Sequence, residues 1–317
     1  MYGRVGHTVP TLSRDEGRLM MQNVKRAVSA SMLFSSLLLV TISFTTSAVG
    51  NKCKTCVKVN SACYNVTHLF ELEAPFRNTV VIHKMGILRS RNVLYFSFEP
   101  ALEDLEYNKI GFVSLDNPEE RGIISGNKIM NFGTFDVDQI NEIIYLGGSD
   151  GIFVLETKEN ILAFFSSRGD SIQNIFYKGN VYFVITGQSK ITRKKGDNFE
   201  AYLESERIKN FVITKNDVIV YLSILGLFAT KRNETVHLSN NPFFRGLTID
   251  LDDVVYTWWV DGIYRVNIAK NLTESYINRV VYLTTIGSLV FDNDNNVLFT
   301  SDKGLYALTE TNLTTIC

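Results

Sequence analysis

The sequence predicts an all-β protein, a six-bladed β-propeller of four-stranded antiparallel blades closed by its N-terminal strand. Three observations lead there. The stretch LVFDNDNNVLFTSDKGLYAL, Leu289 to Leu308, has two short apolar runs parted by a polar turn, then Gly, an aliphatic residue and an aromatic one. The same order returns more loosely at Phe135 to Leu155, Phe211 to Thr230 and Leu247 to Val266, with the alternation and β-branched enrichment of strands. The residues read as opening each third strand are Gly111, Gly151, Ser189, Gly226, Gly262 and Gly304, spaced by 40, 38, 37, 36 and 42, which is the period of a propeller blade. Asp150-Gly151 and Asp261-Gly262 fall between second and third strands, where a tight hairpin requires the positive φ that Gly accepts. A two-sheet sandwich of many strands is the other all-β architecture.

In chain order, Met1 to Leu19 is polar and without pattern, and Met20 and Met21 are both candidate starts. Lys25 and Arg26 precede an apolar run from Ala27 to Val49 that ends in small residues. This is the plan of a secretory signal peptide cut near Gly50. The run is near the lower length limit for a membrane anchor and rich in Ser and Thr, so cleavage is the favoured reading. Residues 1–50 are therefore expected to be an upstream extension and signal peptide, and 51–317 one propeller domain. The expectation is a secreted monomer with no membrane attachment after cleavage.

The first 50 residues hold five of the 32 basic and two of the 33 acidic side chains, leaving 27 against 31. A net acidic chain argues against nucleic acid as partner.

The four cysteines, Cys53, Cys56, Cys63 and Cys317, sit at the two ends of the expected mature chain. An even count behind a signal peptide reads as disulfides. Cys53-Lys-Thr-Cys56 also fits a redox pair or half a zinc site, but no βαβ pattern surrounds it, and zinc would need distant Cys317. The expectation is a bridge from Cys317 to one cysteine of the N-terminal group, the other two pairing locally. A ring of blades gives that bridge a mechanical reason. Cys56 to Leu72 is strand-like but precedes the first full repeat, and the last repeat stops three strands in at Leu308. The early segment can supply the missing outer strand and remove two open edges.

Glycosylation sequons stand at Asn65, Asn233, Asn271 and Asn312. The last three follow a third-strand Gly by 7, 9 and 8 residues. That places them in the turn between strands three and four of successive blades. Glycans there crowd one face of the ring and leave the other free.

KTCVKVNSACYN (Lys54 to Asn65), YLGGSDGIF (Tyr145 to Phe153), FFRG (Phe243 to Gly246) and FDNDNN (Phe291 to Asn296) resemble the insect ommochrome-binding proteins, secreted haemolymph proteins of moths and their relatives. The cysteine-rich start is the more specific part. The resemblance implies binding of a tryptophan-derived phenoxazinone pigment, such as xanthommatin, or a related metabolite. It implies no catalysis and no cofactor.

Enzyme readings lack their residues. Six-bladed calcium-dependent lactonases hold their metal with carboxylates and Asn at the starts of inner strands. The matching starts here read Arg77-Asn78, Phe132-Gly133, Gln173-Asn174, Lys209-Asn210, Arg245-Gly246 and Ile286-Gly287, with no carboxylate among them. A hard divalent cation normally takes carboxylates, so no metal site is expected. Asp292-x-Asp294-x-Asn296 begins like a calcium loop, but Val297 and Lys303 stand where an EF-hand needs Gly and Glu; an Asx-rich turn is expected instead. His68, His83 and His237 are scattered across different blades with no GxSxG or paired Cys near them, which leaves Ser/His chemistry unsupported. No catalytic residue is assigned. A protein-interaction propeller, with Phe243-Phe244 on its face, is the remaining alternative.

Inner strands line the axis of a propeller, so residues at their starts ring one mouth. By the repeat alignment these include Arg77, Phe132, Gln173, Asn174, Lys209, Asn210, Arg245 and Ile286, with Phe76, Phe243 and Phe244 beside them. The predicted binding set is Arg77, Phe132, Gln173, Asn174, Lys209, Asn210, Phe244 and Arg245. Cations beside flat apolar rings suit a planar aromatic that carries carboxylates.

Overall fold

The computed structural model describes residues 57–59, 62–126, 129–204 and 207–310. The expected leader, Cys53, Cys56, Asn312 and Cys317 lie outside the described residues. Two strands, β1 (Val57–Val59) and β2 (Ala62–Glu71), form a hairpin ahead of the first blade. Blade one holds β3 (Ile82–Leu88), β4 (Val93–Phe98), β5 (Lys109–Ser114) and β6 (Arg121–Ile124). Blade two holds β7 (Thr134–Asp138), β8 (Ile143–Gly148), β9 (Gly151–Glu156) and β10 (Ile161–Ser166). In blade three come β11 (Ile172–Tyr177), β12 (Val181–Ile185), β13 (Lys190–Lys195) and β14 (Asn198–Glu204). Blade four has β15 (Ile208–Ile213), β16 (Ile219–Ser223), β17 (Gly226–Lys231) and β18 (Glu234–Ser239). Blade five has β19 (Gly246–Ile249), β20 (Val255–Trp259), β21 (Gly262–Asn267) and β22 (Tyr276–Val281), and the chain supplies only β23 (Leu289–Phe291), β24 (Val297–Ser301) and β25 (Gly304–Glu310) to blade six.

Blade six is completed from the front of the chain. β2 pairs antiparallel with β25 from Tyr64 opposite Glu310 to Glu71 opposite Gly304, and the Leu72 N–H extends the ladder by donating to the Lys303 carbonyl at 2.8 Å. β1 then reaches blade five through Val59 opposite Val281. Blades five and six thereby become one nine-stranded sheet. The six-bladed ring and its closure by an N-terminal strand are as the sequence predicts. Cys63 on β2 is disulfide-bonded.

Apolar side chains from facing blades fill the spaces between them. One cluster joins Leu72, Phe96 and Phe98 to Val290, Leu298 and Leu305, packing blade one on blade six. Trp258 packs between blades five and six with Ile286, Leu289 and Phe299, and its Nε1–H donates to the Gly287 carbonyl at 3.1 Å. Trp259 points the other way, towards the blade four and five cluster, as alternation along a strand requires.

The Gly that opens third strands has a steric reason in blades four and five. Gly226 has φ of +122° and Gly262 +147°, and an added Cβ would lie 2.0 Å from the Ser239 and Val281 carbonyls at the ends of the fourth strands. Blade one departs from the repeat. Gly111 is the third residue of β5 rather than its opening, held small by the Phe96 ring. Its inner strand starts at Ile82, and Arg77 belongs to the lead-in, next to the bridge between Phe76 and Pro100. The acidic turn from Glu99 to Asn108 lengthens this blade, so the spacing of the other blades does not locate its inner strand.

Among the described sequons, Asn233 lies between β17 and β18, and Asn271 between β21 and β22. Asn65, opposite Thr309 on β25, is at the same end of blade six. All three are exposed on the face opposite the turns between strands two and three.

Candidate functional site

Inner strands β3, β11 and β15 share a local irregularity that sequence alignment of the blades did not show. Their pairing slips by one residue between Ile82 and Lys84, between Ile172 and Asn174, and between Ile208 and Asn210. The extra residues are His83, Gln173 and Lys209. A bulge of this kind re-aims a side chain, and all three line one cavity of about 470 Å³ at the end where inner strands begin. The sequence signal is a repeated tripeptide, Ile-polar-Lys or Ile-polar-Asn: Ile82-His83-Lys84, Ile172-Gln173-Asn174 and Ile208-Lys209-Asn210.

Six residues of the predicted binding set meet at this cavity: Gln173, Asn174, Lys209, Asn210, Phe244 and Arg245. Two do not. Phe132 is buried and packs edge-on against Phe153 at 5.5 Å between centroids, leaving Gly133 at the lining. Arg77 stands behind the lining, where it pairs with Glu99. Ile286 is likewise buried rather than part of the mouth. In blade one the mouth is formed by His83 and Lys84, which the sequence reading missed because it placed this strand early.

Among the described residues no Asp or Glu lines the cavity. Its cations differ in how far they are neutralised from behind. Lys84 donates to the Ile175 carbonyl at 3.0 Å and lies 3.6 Å from Asp136. Burial pushes the Asp136 carboxyl above its usual range, against the opposing pull of Lys84 and of the Tyr177 N–H, which donates to it at 2.6 Å. His83 Nε2 lies 3.2 Å from Glu99. Burial holds its imidazole below the ordinary pKa, with Glu99 pulling the other way and Arg77 adding to the fall. Lys209 and Arg245 are different. Among the described residues neither meets a carboxylate: Lys209 donates to the Pro242 carbonyl at 3.3 Å, and Arg245 to the Ile286 carbonyl.

Beside Arg245 is an aromatic rim. Its guanidinium carbon lies 5.9 Å from the Trp259 ring centroid, and Phe243, 63% exposed, stacks on the same indole at 5.6 Å. Phe244 turns inward and meets Tyr264 edge-on at 5.3 Å. Arg245 keeps further donors for an anion while its planar group lies alongside rings, a combination guanidinium supports and ammonium does not. The cavity also carries buried hydrogen-bonding groups without protein partners among the described residues, Asn174 Oδ1 and Thr134 Oγ1.

The Asx-rich turn expected at FDNDNN is present. Asp292 accepts from the N–H groups of Asp294 and Asn296 at 2.9 and 2.7 Å and from the Asn296 amide at 3.1 Å. Asp250 caps the corresponding turn of blade five from Asp252 and Val254. His68 pairs with Glu71 and His237 stacks on Phe228, each away from the cavity.

No family model matches the chain. The ommochrome-binding protein of Manduca sexta is 23% identical over 263 residues, 80% of this chain and 91% of that protein. The resemblance carried by the cysteine-rich start and the blade motifs is thus borne out along most of the chain. Among solved structures, the gluconolactonase of Xanthomonas campestris superposes with a TM-score of 0.57 at 10% identity, over 80% of this chain and 91% of that one. A virginiamycin B lyase from Staphylococcus aureus gives 0.52 at 9%, over 78% and 99%. At such identities these two share the fold alone.

Proposed function

We propose that this protein binds an ommochrome pigment or a related planar, acidic tryptophan metabolite at the mouth of its propeller, and that it acts on it as a carrier or store rather than as a catalyst. The observation that carries this reading is the pairing of Lys209 and Arg245 with the Phe243 and Trp259 rings beside a cavity in which, among the described residues, no Asp or Glu is at the lining and neither cation has a carboxylate partner. A flat anion meets both needs at once. Its carboxylates pair with the two cations, and its ring system lies against the aromatic rim. The similarity to the Manduca sexta protein supports the same ligand class.

A calcium-dependent lactonase on the same fold fits the lining poorly. The described lining of the cavity offers carboxamides, hydroxyls and main-chain carbonyls, but not the carboxylates a hard cation normally takes. The sequons among the described residues lie on the far face, so glycans there leave the mouth open. Secretion into an extracellular fluid such as haemolymph, disulfide closure and a monomeric state complete the reading.

Titration of the purified protein with xanthommatin, followed by its visible absorption, tests it. Saturable binding with a shifted band is expected. Binding that is absent, or calcium-dependent turnover of lactones or esters above background, overturns it.

A further inference from the structure

Most buried polar side chains of this fold find protein partners. Asp138 accepts from Ile140 and Asn141, Thr257 donates to the Gly246 carbonyl, and Thr214 accepts from Val218. Asn174 is an exception at a telling place. It lines the cavity, is only 5% exposed, and neither end of its carboxamide meets a protein partner among the described residues. Thr134, from the neighbouring blade, lines the same cavity with its hydroxyl buried and likewise unpaired among the described residues. Their counterpart in blade one shows what this position does when satisfied: Lys84, also one residue past a bulge, spends its ammonium on the Ile175 carbonyl and Asp136.

A buried carboxamide oxygen without a protein partner weakens the free protein unless water serves it. A bound molecule that supplies the missing hydrogen bonds recovers that loss. One that cannot is penalised twice, because its own apolar edge leaves the group dry and unpaired. Selectivity of this kind belongs to a buried polar group, whereas Lys209 and Arg245 at the mouth recognise any anion of suitable shape.

We propose that Asn174, with Thr134, is the specificity-determining floor of the cavity, and that it selects aromatic ligands carrying a neutral N–H or O–H donor next to a carbonyl, such as an ortho-amino aryl ketone. The donor is received by Asn174 Oδ1, the adjacent carbonyl takes the Nδ2–H, and the ligand carboxylate remains with Lys209 and Arg245. This rests on the pigment-class reading above, and adds to it which edge of the ligand is read.

The test uses a matched pair that differs by one amine: kynurenine, and 2-amino-4-oxo-4-phenylbutanoic acid, which lacks the ring amine. Each is measured by its displacement of xanthommatin from the wild type, from Asn174→Ala and from Asn174→Leu, which roughly keeps the volume. The wild type is expected to prefer kynurenine by about tenfold. Both variants are expected to bind the two compounds equally, with a melting temperature no lower than wild type, because the orphaned group is gone. A preference that survives in the variants overturns the assignment of Asn174 while leaving the pigment-class reading intact. A wild type that binds neither compound nor xanthommatin overturns the pigment-class reading itself.

Discussion

Val66 pairs with Leu308 across the ladder that closes the ring, although the two lie 242 positions apart in sequence. Leu308 faces the inter-blade core and is 1% exposed, while Val66 is on the outermost strand and 38% exposed. Closure therefore draws its apolar stabilisation from the β25 side of the pair. Leu308→Ala is expected to cost about 2–5 kcal/mol through lost burial and the cavity left behind. Val66→Ala should stay within about 1 kcal/mol. Urea denaturation of the two variants checks the contrast, and equal losses would mean that the outer strand is packed more tightly than its exposure implies.

A covalent bond is expected to secure the same seam. Cys63 is disulfide-bonded, and the expectation from sequence is that Cys317 bridges to Cys53, Cys56 or Cys63. Linking such distant positions removes roughly 2–4 kcal/mol or more of denatured-state freedom in the chain-entropy model. Peptide mapping without reduction should recover a fragment joining the two ends of the chain. A free Cys317 thiol in that map would remove the end-to-end bridge.

Gly226 and Gly304 both open a third strand, but their replacement by Ala should differ in outcome. At Gly226 the backbone is left-handed and a Cβ would strike the Ser239 carbonyl at 2.0 Å, so neither strain nor contact relaxes cheaply. At Gly304 the nearest atoms belong to the Tyr306 side chain at 2.7 Å, which can turn aside. Gly226→Ala is expected to lose about 1–3 kcal/mol, and Gly304→Ala clearly less. Thermal unfolding ranks the two directly.

The ring was legible in the sequence because its repeat has a physical cause. Carbonyls at the ends of β18 and β22 forbid a side chain at Gly226 and Gly262, and that constraint recurs with the blade. Closure was legible by counting, since the last repeat lacked one strand and the chain began with one spare. Gln173, Asn174, Lys209, Asn210 and Arg245 were placed at the mouth because their blades keep the repeat. Blade one does not: the Glu99 to Asn108 turn shifts its spacing, so Arg77 stood in for His83 and Lys84. Phe132 was misassigned because a one-residue difference in direction decides between mouth and core, and Phe153 captures its ring. That Lys84 is neutralised by Asp136 while Lys209 and Arg245 are not is a tertiary property that no local pattern encodes.

His83 gives the mouth a pH dependence. Its folded pKa lies below the ordinary 6.5, chiefly through burial, with Glu99 opposing and Arg77 reinforcing. A depressed folded pKa means that the unfolded chain takes up the proton more readily. The contribution of His83 to stability is therefore present above about pH 6.5 and is lost as pH falls through the folded value. His83→Gln keeps a polar side chain but removes this titration. Urea midpoints at pH 7.5 and pH 5 should fall more for the wild type than for His83→Gln. A parallel decline would assign the acid sensitivity to other groups.

Arg245 is where the proposed ligand and the protein divide the same guanidinium. It donates to the Ile286 carbonyl, lies against Trp259, and is exposed, so its contribution to the fold is one main-chain contact and some packing. If its role were only to cover the rim, Arg245→Ala and Arg245→Lys would differ, because lysine keeps an alkyl stem and a charge. If it pairs through two N–H groups with a ligand carboxylate while lying flat beside the indole, lysine cannot replace it, since an ammonium offers neither the fork nor the plane. Both substitutions are then expected to weaken xanthommatin binding by about 1–3 kcal/mol with little change in melting temperature. Lys209→Ala should weaken it as well, and more so at low ionic strength, where the attraction of an exposed charge is less screened. Unchanged affinity in Arg245→Ala and Lys209→Ala together would place the ligand elsewhere and leave this mouth as ordinary surface.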